Sequence, residues 1–370
     1  MDWGMIRRYV LPLAAFAVPA AIFACGGGGA LQPPISDSQY DDPDDPGGGG
    51  STAAPPPPVD AGAAPVALPT GSGGIGFDDL RFSGDLSAIL VPAGRTGNLD
   101  LVDPSTELVT SISGFSTSAT YSGDNSFGAT SADEGNGIIY VTDRTAKTLS
   151  VVDPSSSSIV ATAMLAGTPG YVRYVAPTNE VWVTEPQQSQ IEIFSLAASA
   201  MTAPSHAAFV SVPNGPESLE IDVTTKTAYT NATTATVAVD LVMRAVTGTW
   251  PNGCMTAKGI AVDQAEGWIM AACAEGTLTV LSTAGVKLGS VTTLAGCNQV
   301  SYDAVEERLY VASSTASAVA VVQLASTGAP SIAGSIQATG SGGCAVTGGA
   351  GAVFVCAPAQ GDLLFVHDPF

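Results

Sequence analysis

Ile138-Ile139-Tyr140-Val141-Thr142-Asp143, a short turn, and then Thr148-Leu149-Ser150-Val151-Val152-Asp153-Pro154 is the stretch on which the reading of this chain rests. β-branched and aromatic residues, a polar turn, and a second alternating run closed by Asp-Pro spell two paired strands. The same template returns without gaps at Val181-Trp182-Val183-Thr184-Glu185 with Ile191-Glu192-Ile193-Phe194, and at Leu309-Tyr310-Val311-Ala312 with Val319-Ala320-Val321-Val322. It returns again at Val353-Phe354-Val355-Cys356 with Leu363-Leu364-Phe365-Val366, and at Ile89-Leu90-Val91 with Leu99-Asp100-Leu101-Val102-Asp103. Slightly shorter turns separate Ala228-Tyr229-Thr230-Asn231 from Val237-Ala238-Val239-Asp240, and Ile269-Met270-Ala271 from Leu278-Thr279-Val280-Leu281.

The equivalent positions are Leu90, Tyr140, Trp182, Tyr229, Met270, Tyr310 and Phe354; the 264 residues from first to last make six intervals averaging about 44. A period of about 40–50 residues built only from short strands indicates propeller blades. No long stretch carries the 3.6-residue spacing that helical repeats need. Inner strands precede the template, as at Gly259-Ile260-Ala261-Val262-Asp263 and Gln299-Val300-Ser301-Tyr302-Asp303, and outer strands follow it, as at Ser158-Ile159-Val160-Ala161-Thr162. The expectation is an all-β, seven-bladed β-propeller of four-stranded blades over residues 76–370. The first inner strand falls near Leu80-Arg81-Phe82-Ser83, but the last copy ends at Phe370 without an outer strand. An open ring exposes sheet edges, so Ala64 to Leu68 are expected to fold back as the missing strand.

Upstream of the repeat the composition changes. Arg7 and Arg8, then an apolar Tyr9–Phe23, read as an export signal over residues 1–24, too short to span a bilayer as an anchor. Ile22-Phe23-Ala24-Cys25 resembles the lipobox of bacterial lipoproteins, which implies acylation of Cys25 and, with Gly26 rather than Asp following, the outer membrane. A plain secretory signal is the competing reading. Residues 25–75 read as a disordered tether: Gly26–Gly29, Gly47–Gly50 and Pro55–Pro58 are homopolymer runs around the acidic Asp41-Asp42-Pro43-Asp44-Asp45-Pro46. Its coil-like reach is about 40 Å. The acidic run lacks the spacing of a calcium loop and reads as a solvated spacer.

Charge excludes one class of partner. Thirty-three acidic residues against 12 basic give −21, and only 12% of residues are charged, against about 25% in ordinary domains. Phosphate backbones and anionic headgroups repel such a chain, so nucleic acid is excluded and membrane contact is left to the Cys25 lipid alone.

With the repeat in view, the chain resembles the YVTN-type β-propeller family of bacterial surface proteins. Tyr140-Val141-Thr142-Asp143, Asp153-Pro154 and Gly167-Thr168-Pro169 carry the resemblance; Tyr229-Thr230-Asn231 and Asn214-Gly215-Pro216 match in part. The motif specifies a blade, not a chemistry. It implies a module that binds proteins, glycans or small ligands, a few relatives being lactonases or lyases.

Chemical constellations are sparse. His206 and His367, in unrelated settings, cannot build a histidine metal cluster, and the histidine–glutamate site of streptogramin-lyase propellers has no counterpart. Asp103, Asp153 and Asp240 precede turns, where Asp bonds its own backbone. Gly340-Ser341-Gly342 lies in a blade connection with no helix after it, so it is no nucleophile elbow. Five cysteines remain beyond Cys25. Cys344 and Cys356 flank a tight hairpin in which Ala345 faces Val355, so they stand opposite and pair. Cys254 and Cys273 bracket the first hairpin of blade five and form the second expected disulfide, leaving Cys297 free.

Ligands of propellers bind where loops enter the inner strands and join the second and third strands. The candidate face there comprises Asp143, Arg144, Tyr171, Arg173, Glu185, Glu217, Lys258 and Asn298, any of whose charges could equally serve solubility or balance a neighbour. Two functions compete. One is a monomeric, non-catalytic binding or scaffolding module for a protein, glycan or other envelope component. The other is a lactonase- or lyase-like enzyme with carboxylates and a cation at the channel mouth. No catalytic residue, metal ligand or cofactor is expected, a structural cation in the channel remaining open.

Overall fold

The computed structural model describes residues 53–198 and 201–370. The export signal, Cys25 and residues 25–52 of the expected tether lie outside the described residues. Seven four-stranded antiparallel sheets make up the fold, and a single 3₁₀ turn, Pro186–Gln188, is the only helix among the described residues. Blade two shows the plan: inner strand Ala129–Gly135, then Ile138–Asp143, Thr148–Asp153 and outer strand Ser158–Met164, paired in sequence order. The two middle strands are the template read from the sequence.

These middle strands are apolar at nearly every position because both faces are buried. Alternate side chains serve different neighbours. Ile139 and Val141 pack against Leu90 and Leu99 of blade one, whereas Ile138 and Tyr140 pack against Val181 and Val183 of blade three. Similar clusters fill the other interfaces, so the core is a ring of wedges rather than one centre. All seven template positions, from Leu90 to Phe354, are at most 1% exposed. Outer strands alternate instead, Ser158–Met164 exposing Val160, Thr162 and Met164.

In blades two to six the pairing of third and fourth strands slips by one residue at the same place, after Val151, Ile193, Ala238, Val280 and Val321. Such bulges increase twist, and their recurrence matches the repeat.

The ring closes as the missing outer strand required. Ala64–Ala67 pairs antiparallel with Asp362–His367, Ala64 facing Phe365 and Ala67 facing Asp362, which completes blade seven. Val59 also bridges to blade six, its N–H donating to the Ser335 carbonyl and its carbonyl accepting from the Gln337 N–H, both at 2.8 Å. The compositional boundary at residue 76 therefore falls inside the folded unit. A short strand that only completes an edge needs little apolar sequence, so composition could not mark its start.

Both expected disulfides are present, Cys254–Cys273 and Cys344–Cys356. Ala345 pairs with Val355 and Val346 with Phe354, which brings the two flanking cysteines opposite one another. Cys297 is free and buried, and burial pushes its thiol up to about 12, so it is protonated and inert near neutrality.

Candidate functional site: the channel and its mouth

The inner strands line the central channel, and their register against the template decides what projects there. Directly opposite the seven template positions stand Arg81, Asp133, Arg173, Glu220, Ala261, Ser301 and Val346, in blade order. Four successive blades thus present alternating charges, and three present small or apolar groups.

The charges interlock. Arg81 Nε lies 2.5 Å from Asp133, and its Nη1 reaches Glu220 at 2.8 Å. Arg173, only 2% exposed, donates Nη1 to Asp79 at 2.6 Å and Nη2 to Asp79 at 3.2 Å and to Glu220 at 3.1 Å. Asp79 also accepts from Ser131 Oγ at 2.5 Å and Gln299 Nε2 at 2.9 Å. Gln299 then clasps the Leu80 backbone, accepting its N–H at 3.1 Å and donating to its carbonyl at 2.5 Å. The network ties blades one, two, three, four and six across the channel.

Burial would strip Arg173 of its charge, but Asp79 and Glu220 together hold the guanidinium protonated. Burial likewise opposes ionisation of Glu220, and there Arg81 and Arg173 win and keep its carboxyl below the ordinary range. At Asp79 burial outweighs Arg173 and raises the carboxyl. Removing either cation would leave an uncompensated charge in a dry site.

Above this plug the mouth opens between loops that enter the inner strands and loops that join second and third strands. One cavity of about 260 Å³ is lined by Asp78, Asn125, Arg144, Glu217, Lys258 and Asn298 together with Gly170 and Pro186. A second, of about 580 Å³, adjoins it through Asn125 and Asn298 and includes Phe77, Tyr121, Asp124 and Ser341. Arg144 donates to Asp78 at 2.5 Å and to the Asn125 and Pro169 carbonyls at 2.6 and 3.0 Å. Lys258 forms an ion pair with Glu217. On the opposite side of the plug a cavity of about 400 Å³ is lined by Arg81, Glu220, Ala261, Ser301 and Val346 among others.

Of the eight residues marked in the sequence, Arg144, Glu217, Lys258 and Asn298 share the mouth cavity. Arg173 lies deeper, in the plug, its guanidinium 5.3 Å from the centre of the buried Tyr171 ring. Asp143 caps backbone, accepting from Ser116, Thr145 and Ala146 N–H groups at 2.7–3.0 Å. Glu185 is buried and accepts from the Gly167 N–H and from Gln190, each at 2.6 Å. Asp103, Asp153 and Asp240 bond their own turns, as expected. The sequence reading missed Asp78, Asp79, Arg81, Asp133, Glu220 and Gln299. The signal was there: each column residue precedes its template position by seven to nine residues, and charges are scarce elsewhere.

Among the described residues, one grouping has the makings of a metal site, Cys254, Cys273 and Glu275, and its two sulfurs are bonded to each other.

No family model matches the chain, and no curated protein matches it by sequence. Solved structures do resemble it. The U3-55K protein superimposes with a TM-score of 0.66 at 10% identity, over 84% of this chain and 100% of that one. The Myceliophteria thermophila Cps50 (Swd1) β-propeller domain gives 0.64 at 8% identity, over 80% and 98%. A Bacteroides uniformis protein assigned as a 6-phosphogluconolactonase gives 0.59 at 13% identity, over 71% and 85%. At such identities the likeness establishes the fold: the chain is a seven-bladed β-propeller.

Proposed function

We propose that this propeller is a non-catalytic binding module, displayed from a Cys25 lipid and tether at the bacterial cell envelope, that receives its partner at the channel mouth.

 

The reading rests on one observation. Five carboxylates at the channel and its mouth already have a cationic partner: Asp78 with Arg144, Asp79 with Arg173, Asp133 with Arg81, Glu217 with Lys258, and Glu220 with both Arg81 and Arg173. Asp124, at the mouth rim, is engaged instead by the Ser122 and Ser126 hydroxyls, each at 2.6 Å. A lactonase- or lyase-like enzyme, the alternative, needs carboxylates free to take a proton or a cation. The plug beneath the mouth supports a surface that receives a ligand rather than a passage that transmits one. The partner is a protein or glycan of the envelope, held against a monomeric disc.

Photo-crosslinking on intact cells tests this. A benzophenone amino acid replacing Asn298 at the mouth is expected to capture envelope material, whereas one replacing the exposed Val305 on the opposite face is not. Equal capture from both positions, or turnover of a lactone panel by the purified chain, would overturn the reading.

A further inference from the structure

The two mouth cavities form one trough, because Asn125 and Asn298 line both. We infer that this trough receives a neutral saccharide, an inference that rests on the mouth being the binding face. At about 580 and 260 Å³, its two parts together reach the size range of small-molecule sites.

Charge argues against an ionic ligand. The trough's cations, Arg144 and Lys258, are already paired with Asp78 and Glu217, so an incoming anion would have to break an ion pair to gain one. The one unpaired charge, Asp124, is occupied by the Ser122 and Ser126 hydroxyls and would repel an anion; the other groups left over are neutral. Among the described residues the half-buried Asn298 side chain has no hydrogen-bond partner, which leaves an amide offering two donors and an acceptor. Asn125 spends its amide nitrogen on Asp78 at 2.8 Å, leaving its oxygen to accept. Ser341 accepts from the Gly343 N–H at 3.2 Å, leaving its own hydroxyl proton to donate.

Beside these groups stands an aromatic surface. The Tyr121 ring lies against the backbone of Gly74, where any Cβ would come within 2.3 Å of the ring. Gly74 is therefore needed for the ring to hold its place in the trough wall. A flat ring next to amides and a hydroxyl suits a sugar, which has a C–H face to stack and hydroxyls to bond. A peptide would look for an unpaired strand edge or an apolar anchor pocket. The mouth is built of loop tips, and its large apolar side chain, Phe77, is only 6% exposed.

The test uses the full-length chain in detergent micelles against an array of neutral oligosaccharides, their sulfated and sialylated counterparts, and short peptides. Binding to neutral oligosaccharides is expected, weakened about tenfold or more by Tyr121→Ala and by Asn298→Ala, and retained by Tyr121→Phe, with the melting temperature of each variant unchanged. Preference for charged glycans or peptides, or neutral binding indifferent to Tyr121 and Asn298, would overturn the inference. Crosslinking from position 298 separates the two levels: protein capture there without saccharide binding defeats the saccharide alone, and no capture with no binding defeats the binding face as well.

Discussion

Opposite the template positions, blades one to four carry Arg81, Asp133, Arg173 and Glu220, whereas blades five to seven carry Ala261, Ser301 and Val346. The backbone plan is the same in both halves. What differs is the fastening. A cluster of charges knits the first group together across the channel. The second has, among the described residues, one ion pair of its own, Arg308 with Asp368 at 2.8 Å, and both disulfides, each stapling a single blade, Cys254–Cys273 in five and Cys344–Cys356 in seven. A repeat with so few charges cannot fasten every blade ionically, and a disulfide can staple a blade that lacks them. The blade motif fixes the shape of the ring and leaves the means of holding it to positions outside the motif.

The largest expected effect comes from the charged half. Arg173→Met should strand Asp79 and cost about 3–5 kcal/mol in urea or guanidinium unfolding. Ser301→Ala, at the equivalent place in the neutral half, should stay within roughly 1 kcal/mol. Similar losses from both variants would remove the distinction. Next comes the staple: Cys344→Ser with Cys356→Ser should cost about 3 kcal/mol, and wild type treated with a reductant should lose stability in the same sense while R173M keeps its sensitivity to reductant.

A third prediction concerns a carboxylate in the charged half that has no cation. Asp100, fully buried in the third strand of blade one, accepts from Ser111 at 2.5 Å, and its other oxygen has no partner among the described residues. Burial raises it from 3.8 to about 6. The unfolded chain therefore loses this proton at lower pH than the folded one, and stability falls as pH climbs from about 4 through 6. Asp100→Asn should add roughly 2–3 kcal/mol at pH 8 and nothing below pH 3.8, as pH-dependent melting would read. A gain that is the same at both pH values would contradict the assignment. The smallest effect belongs to the part-exposed Lys258–Glu217 pair at the mouth, where Lys258→Ala should shift stability by less than about 1 kcal/mol.

Much of this molecule is legible in its sequence. Blade number, the register of the Cys344–Cys356 hairpin and the closing strand at Ala64 all follow from local patterns, because a strand buried on both faces must be apolar throughout and an unfilled edge must be covered. The plug is legible only as a column of charges seven to nine residues before the template positions; its pairings are not. Asp79 and Arg173 are 94 residues apart, and Asp79 and Gln299 are 220 apart. Only closure of the ring brings them together. Arg173 drew notice as a scarce basic residue, but nothing near it in sequence announces Asp79. Asp143 and Glu185 misled for the opposite reason: their positions face the mouth, but backbone N–H groups and, at Glu185, the Gln190 amide engage them first.

Hydrogen exchange followed by mass spectrometry on wild type, R173M and the Cys344→Ser, Cys356→Ser double variant tests the two-chemistry ring most directly. The account predicts faster exchange in the inner strands of blades one to four for R173M and in blades six and seven for the cysteine variant. Identical exchange maps for the two variants would contradict it.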